Sequence, residues 1–113
     1  MQAETQRHGT ALVVRIDEPR IDAAGAIAFK EAMRKATEGA QSRVILDLSR
    51  VEFIDSSGLG AVVSVMKQLG EGCRLELAGL APAVEKVFRL TRMDQIFTIH
   101  PEIPDRTELY RAG

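Results

Sequence analysis

Two stretches decide the fold: RVILDL at residues 43–48, and FIDSSGLG at residues 53–60. The first is an almost continuous apolar run, short enough for a strand that is covered on both faces, as in the centre of a parallel sheet. The second leads into a segment whose apolar residues share one helical face, namely Leu59, Val62, Val63, Met66 and Leu69. Gly70 offers an end to that helix. These stretches therefore predict a buried strand followed by a helix that packs over it.

The residues after this unit predict two more strands and a third helix. Apolar and charged residues alternate over residues 73–77, which is typical of a strand. Ala81-Pro82 marks the start of a helix, because proline is tolerated in the first helical turn. We expect a last short strand at Ile96–Ile99. Prolines then interrupt the tail, and we expect residues 105–110 to form a turn or two of helix or to remain mobile.

The residues before the two stretches predict a β-hairpin and a first helix. Residues 11–16 are rich in β-branched side chains and predict a strand, with which the polar segment before Gly9 can pair at the edge of the sheet. The helix is indicated by apolar residues at helical spacing, namely Ala26, Phe29, Met33 and Ala36. Asp22 is expected to accept from the free N–H groups at its start, and Gly39 offers its end.

The predicted elements add up to an α/β protein. Strands that alternate with helices imply parallel pairing and right-handed crossovers. We therefore expect a small mixed, mostly parallel β-sheet that is backed by α-helices and has an antiparallel edge on its N-terminal side. The 113 residues fit one compact domain. We expect residues 1–113 to form a single domain, with the tail from about residue 101 peripheral.

Composition excludes several classes of function. The formal net charge is −1 and only 4% of the residues are aromatic, so the chain lacks the charge and the stacking side chains of a nucleic-acid-binding protein. One cysteine, Cys73, and two distant histidines, His8 and His100, do not have the spacing of a metal site, and no phosphate-binding loop motif is present. We expect no metal and no cofactor. No apolar run reaches the roughly 20 residues that cross a bilayer, and no signal sequence is recognisable, so we expect a cytoplasmic protein without membrane contact.

The start of the second predicted helix places side-chain hydroxyls beside unpaired backbone N–H groups. These donors and the helix dipole stabilise negative charge by roughly 0.3–1 kcal/mol at an exposed site, so a phosphate attached there would be tolerated. Asp55, Ser56 or Ser57 can equally serve as a plain helix cap. Gly58 and Gly60 either keep the first turn uncrowded or allow it to pack closely on the sheet. Local chemistry leaves both interpretations open.

The same residues resemble a known protein family. Residues 53–60, preceded by residues 44–49, are similar to the characteristic motif of bacterial anti-sigma factor antagonists of the STAS family. The resemblance extends to residues 24–38, 70–78 and 81–88, so it covers nearly the whole chain. It implies the STAS fold, which is a small mixed sheet backed by helices.

The resemblance also implies a phosphorylation switch. In this family the serine directly after the motif aspartate is phosphorylated by a partner kinase that is itself an anti-sigma factor, and that serine is Ser56 here. The unphosphorylated form would bind the kinase and free its other client, whereas the phosphorylated form would let go. A serine phosphatase of the PP2C type is the expected partner that reverses the modification. Ser57 matches a family serine that is generally not the acceptor, and we assign it a capping role.

Further residues of the motif and its surroundings are expected to support this switch. Asp22 lies where many family members carry an aspartate close to the switch serine, so it either orients Ser56, meets the kinase, or acts only as a helix cap. Asp55 and Gly58 belong to the motif itself. Leu59 is either buried in the core or exposed enough to anchor the kinase.

Two other functions compete with this interpretation. Catalysis by Ser56 as a nucleophile is unsupported, because the sequence lacks Gly-x-Ser-x-Gly and neither histidine has the context of a base. We therefore expect that the protein is not an enzyme. The alternative is a STAS domain that acts as a docking subunit of a transporter or sensory complex, without a phosphoswitch. The sequence predicts no particular oligomeric state.

Overall fold

A computed structural model describes residues 1–40 and 42–104, in which seven strands and three helices are defined. The strands are β1 (Ala3–His8), β2 (Ala11–Ile16), β3 (Arg20–Ile21), β4 (Arg43–Asp47), β5 (Phe53–Ile54), β6 (Arg74–Ala78) and β7 (Ile99–His100). The helices are α1 (Ala26–Ala36), α2 (Ser56–Leu69) and α3 (Pro82–Leu90). Residues 105–110, for which the sequence predicts a helical turn or a mobile tail, lie outside the described residues.

The main sheet has five strands in the order β1-β2-β4-β6-β7. β1 pairs with β2 in antiparallel orientation, and every other pair in this sheet is parallel. β3 and β5 form a separate parallel pair of two residues each. The predicted α/β class, with a mostly parallel sheet and an antiparallel N-terminal edge, is therefore confirmed.

The helices and one face of the sheet enclose the hydrophobic core. β4 is buried along its whole length, as its apolar run predicts. Alternate residues of a strand point to opposite faces, so Val44 and Leu46 join the main core while Ile45 lies on the other face. The helices contribute Phe29, Met33, Val62, Val65, Val84 and Phe88 to the main core. Two sequence features therefore determine how the helices pack on the sheet. They are the apolar residues at a spacing of 3.6 in the helices and the continuous apolar run in β4.

The last strand is shorter than predicted. A 3-10 turn occupies Met93–Gln95, and β7 begins only at Ile99, so the expected strand at Ile96–Ile99 is wrong in its first part. The physical reason is the side chain of Phe97, which is buried with its ring edge-on to Phe88 at a centroid distance of 6.0 Å. Because the Phe97 side chain fills the core below α3, the Phe97 backbone stays in the turn, where its N–H donates to the Met93 carbonyl.

Candidate functional site

The FIDSSGLG motif contains the end of β5 and the first turn of α2. Asp55 has extended backbone angles and is the N-cap residue of the helix, and its Oδ1 accepts from the Gly58 N–H at 2.8 Å. Ser56 and Ser57 are the first two helical residues, and both are exposed. Within the described part of the chain, the Ser56 hydroxyl has no hydrogen-bond partner. It is therefore a free hydroxyl at the positive end of a helix dipole.

The capping role assigned to Ser57 is wrong. A cap must sit just before the first helical residue, with a backbone conformation that lets its side chain turn back to the N–H two or three residues later. Asp55 has that position and makes that bond. Ser57 is already inside the first turn, so its hydroxyl is presented to solvent on the same exposed end of the helix as Ser56.

Gly58 is required because α2 begins directly against β3. A Cβ atom at this position would lie 2.0 Å from the Ile21 carbonyl oxygen and 2.9 Å from Cγ1 of Ile54. Gly60, in contrast, has no atom within 4 Å of its hypothetical Cβ and is exposed. Leu59 is partly buried and packs against the main core. Of the two motif glycines, only Gly58 serves close packing.

Asp55 also connects the motif to the loop that precedes α1. Its second oxygen, Oδ2, accepts from the Ala23 N–H at 3.1 Å, and its own N–H donates to the Ile21 carbonyl at 3.4 Å. The loop that contains Asp22 is therefore held beside the start of α2. The sequence indicated that Asp22 lies near Ser56 only through family resemblance. In the structure, Asp22 lies in a segment that is hydrogen-bonded to Asp55, the neighbour of Ser56.

The prediction that Asp22 caps α1 is wrong. The helix starts three residues later than that role requires, with Gly25 as its N-cap residue and no side-chain cap. Asp22 instead closes a turn, in which its Oδ1 accepts from the Gly25 N–H at 3.2 Å. Its other oxygen accepts from Nε of Arg20 at 3.1 Å, and chiefly this hydrogen bond lowers the pKa of the carboxyl group. Asp22 therefore carries a negative charge at neutral pH.

Two residues of this surface were missed by sequence reasoning. The guanidinium carbon of Arg20 lies 4.2 Å from the centre of the Phe53 ring, which is a cation–π contact. Phe53 is 40% exposed although it is a large apolar residue, and it lies three positions before Ser56. The pairing of Arg20 with Phe53 follows from the register of β3 and β5. Strands of two residues carry no periodicity, so no sequence signal was available for this contact.

A charged cluster lies on the face of the sheet away from the helices. Arg43 donates two hydrogen bonds of 2.8 Å to Glu76, and Nε2 of His100 lies 2.7 Å from the same carboxylate. Burial favours the neutral form of Glu76, but these contacts and the charge of the neighbouring Arg74 lower its pKa from 4.5 to about 2. Both partners of the Arg43 pair are more than nine-tenths buried, so the cluster is a structural ion pair inside the sheet face.

Residues 1–40 and 42–104 contain no candidate metal-binding cluster and no candidate membrane-spanning helix. This part of the chain has no group of three or more His, Cys, Asp or Glu side chains that could hold a metal ion. None of its helices is both long and apolar enough to cross a bilayer.

A family model described as STAS domain matches residues 2–105. The chain belongs to the STAS domain family. This confirms the resemblance of the FIDSSGLG motif and its surroundings. A Bordetella bronchiseptica protein named as an anti-sigma factor antagonist, BtrV, is 32% identical to this STAS domain over 80 residues, which are 70% of this chain and 69% of that protein.

Solved structures agree with the fold of this STAS domain. An anti-sigma factor antagonist from Mycobacterium paratuberculosis superposes with a TM-score of 0.82 and 25% identity, over 97% of this chain and 93% of that one. The Bacillus cell fate determinant SpoIIAA in its phosphorylated form matches with a TM-score of 0.65 and 20% identity, over 99% and 100% of the two chains. At that identity the likeness concerns the fold alone.

The same fold also occurs inside a transporter. The murine anion transporter Slc26a9 matches with a TM-score of 0.81 and 20% identity over 96% of this chain, which corresponds to 19% of the transporter. The STAS fold by itself therefore does not distinguish an antagonist from a domain of a larger assembly. By homology, this STAS domain belongs to the anti-sigma factor antagonists, which are regulatory binding proteins.

Proposed function

We propose that this protein is an anti-sigma factor antagonist in a partner-switching pathway. Its unphosphorylated form binds an anti-sigma factor that is also a serine kinase, and this binding frees the other client of the kinase. Phosphorylation of Ser56 ends the binding, and a serine phosphatase of the PP2C type restores it. The protein acts in the cytoplasm by binding, and not by catalysis of its own.

The observation that carries this proposal is the free hydroxyl of Ser56 at the start of α2. The side chain is exposed and is spared from capping, because Asp55 performs that role. In the transfer, the Ser56 oxygen bonds to the γ-phosphorus of ATP, the hydroxyl proton leaves to a base of the kinase, and ADP departs. The helix dipole stabilises the added charge without a change of fold.

The charge change is large enough for a switch. Phosphorylation adds about −1.5 to −2 charges next to the Asp55 carboxylate. Two like charges about 4 Å apart cost roughly 1 kcal/mol in water and about 4 kcal/mol at an effective dielectric constant of 20. An interface that excludes water around Ser56 would therefore lose binding free energy on modification, while a domain stabilised by about 5–15 kcal/mol stays folded.

The proposal is tested with the candidate anti-sigma factor kinase and ATP, by intact mass and by complex formation on a sizing column. We expect one added phosphate on the wild-type protein and on Ser57→Ala, none on Ser56→Ala, and loss of the complex only where the phosphate is added. Ser57→Ala is the matched control, because both serines are exposed in the same helical turn. A phosphate on another residue would refute the assignment of Ser56. A complex that is indifferent to the phosphate would favour the docking role without a switch.

A further inference from the structure

The carboxylate of Asp55 holds two segments that are far apart in sequence. Oδ1 accepts from the Gly58 N–H in the first turn of α2 at 2.8 Å. Oδ2 accepts from the Ala23 N–H at 3.1 Å, across a separation of 32 residues. A single side chain therefore joins the start of the helix that contains Ser56 to the loop between β3 and α1.

The other polar contacts of this loop are local. The Gly25 N–H donates to both the backbone oxygen and Oδ1 of Asp22, and Arg20 donates to the same side chain from two positions earlier. Ala23 and Ala24 are exposed. The Ala23–Asp55 bond thus holds the middle of the loop to the switch motif. Hydrogen bonds to a charged acceptor are among the stronger polar contacts in proteins.

The loop also shapes a surface outside the FIDSSGLG motif. It forms one side of an open groove of about 350 Å³. The loop contributes Asp22, Ala24 and Gly25 to its lining. A movement of the loop would therefore alter a surface that extends well beyond the serine itself.

We infer that Asp55 transmits the phosphorylation state of Ser56 to the loop of residues 22–25. The phosphate carries up to two negative charges and three acceptor oxygens on the residue next to Asp55. It repels the carboxylate and competes with it for the Gly58 N–H, since both groups are acceptors at the same helix end. When the carboxylate turns away, the Ala23 N–H loses its acceptor and the loop is released. The kinase then loses a second part of its binding surface.

This inference rests on the proposed function in two respects, namely that Ser56 is the modified residue and that the kinase binds the loop. The coupling itself is measured without a partner. Phosphoserine is incorporated at position 56 during synthesis, and amide hydrogen exchange is followed by NMR. We expect exchange at the Ala23 amide to accelerate at least about tenfold, as loss of a charge-assisted hydrogen bond requires. Unchanged protection at Ala23 would overturn the inference.

Phosphoserine at position 64 is the matched control for charge. Ser64 is exposed on the same helix, about two turns beyond Ser56, and its hydroxyl donates to the Gly60 carbonyl. We expect it to leave the Ala23 amide protected. Equal acceleration by both phosphoserines would mean that Ala23 responds to net charge and not to Asp55, which would also overturn the inference.

The variants Asp55→Ser and Asp55→Ala separate capping from coupling. Serine can still cap α2 but is too short to reach Ala23, whereas alanine removes both contacts. We expect Asp55→Ser to keep most of the unfolding free energy, to expose the Ala23 amide to exchange, and to bind the kinase several-fold more weakly with a non-hydrolysable ATP analogue. If the kinase binds Asp55→Ser as tightly as the wild-type protein, then the kinase does not contact the loop. If Ala23 responds to phosphoserine but no kinase binds any form, the coupling stands and the proposed function fails.

Discussion

Replacing Gly58 by alanine tests whether the first turn of α2 lies on β3 as closely as the motif requires. The added Cβ would be 2.0 Å from the Ile21 carbonyl oxygen and 2.8 Å from the Ile21 carbonyl carbon, and both are backbone atoms that cannot rotate away. Relief requires the helix to move away from β3, which disturbs the cap at Asp55. Overpacking of this kind costs about 1–3 kcal/mol, which exceeds the gain of about 1 kcal/mol that alanine brings over glycine in a helix. A contact of 2.0 Å with a backbone atom places the cost at the upper end of that range, about 3 kcal/mol, so we expect a net loss of about 2 kcal/mol.

The matched control is Gly60→Ala, in the same helical turn. Nothing lies within 4 Å of its added Cβ, and the position is exposed, so only the helix propensity changes. We expect this variant to gain up to about 1 kcal/mol in unfolding free energy. Both variants are compared by urea denaturation with a common slope. If Gly58→Ala is as stable as Gly60→Ala, then α2 does not rest on β3, and the geometry assigned to the switch site is refuted.

Three further outcomes are expected, at the cluster around Glu76, at Phe53 and at Ser56. The low pKa of Glu76 means that its stabilisation is complete above about pH 4.5 and is lost as the pH falls towards 2. Urea melts over that range should show a loss on the order of 3 kcal/mol, which is absent from Glu76→Gln. Phe53→Ala should weaken kinase binding and cost about 1–2 kcal/mol of stability, because the ring is partly buried and stacks on Arg20, whereas Ile96→Ala, at another exposed apolar residue, should leave binding intact; equal effects on binding would refute a role for Phe53. Phosphoserine at position 56 should lower the unfolding free energy by about 1–2 kcal/mol, because the cap and the Ala23 bond of Asp55 are weakened, and loss of the native fold in thermal melts would contradict the switch.

The layers of the fold were predictable because they depend on short-range periodicity. The continuous run in residues 43–48 identified the central strand, and the spacing of Leu59, Val62 and Met66 identified the helix that covers it. The strand at the C-terminal end was misplaced, because an apolar residue such as Phe97 satisfies a strand pattern and a core position equally well. Tertiary packing against Phe88 decided between the two.

The sequence identified the residues of the candidate site but not the contacts that each of them makes. Asp55, Ser56 and Ser57 are all good capping residues, and the choice among them depends on where β5 ends, which the residue types do not encode. Asp22 was expected at the start of α1, but the bond between Ala23 and Asp55 holds its loop elsewhere. Such contacts depend on the placement of β3 against β5, and strands of two residues are too short to show a hydrophobic periodicity.

The cluster of Glu76 with Arg43 and His100 escaped prediction for a related reason. Its members lie on three different strands and meet only through the order and register of the main sheet. Each residue alone reads as an ordinary charge in a strand. Long-range register is therefore the information that a single sequence lacked, both here and at the start of α2.

We propose that a phosphate on Ser56 controls association with a kinase. The most direct measurement is the affinity of the anti-sigma factor kinase for the unmodified protein and for the protein with phosphoserine at position 56, by titration calorimetry at one salt concentration. We expect the modified form to bind at least about tenfold more weakly, which is about 1.4 kcal/mol. Equal affinities for the two forms would contradict it.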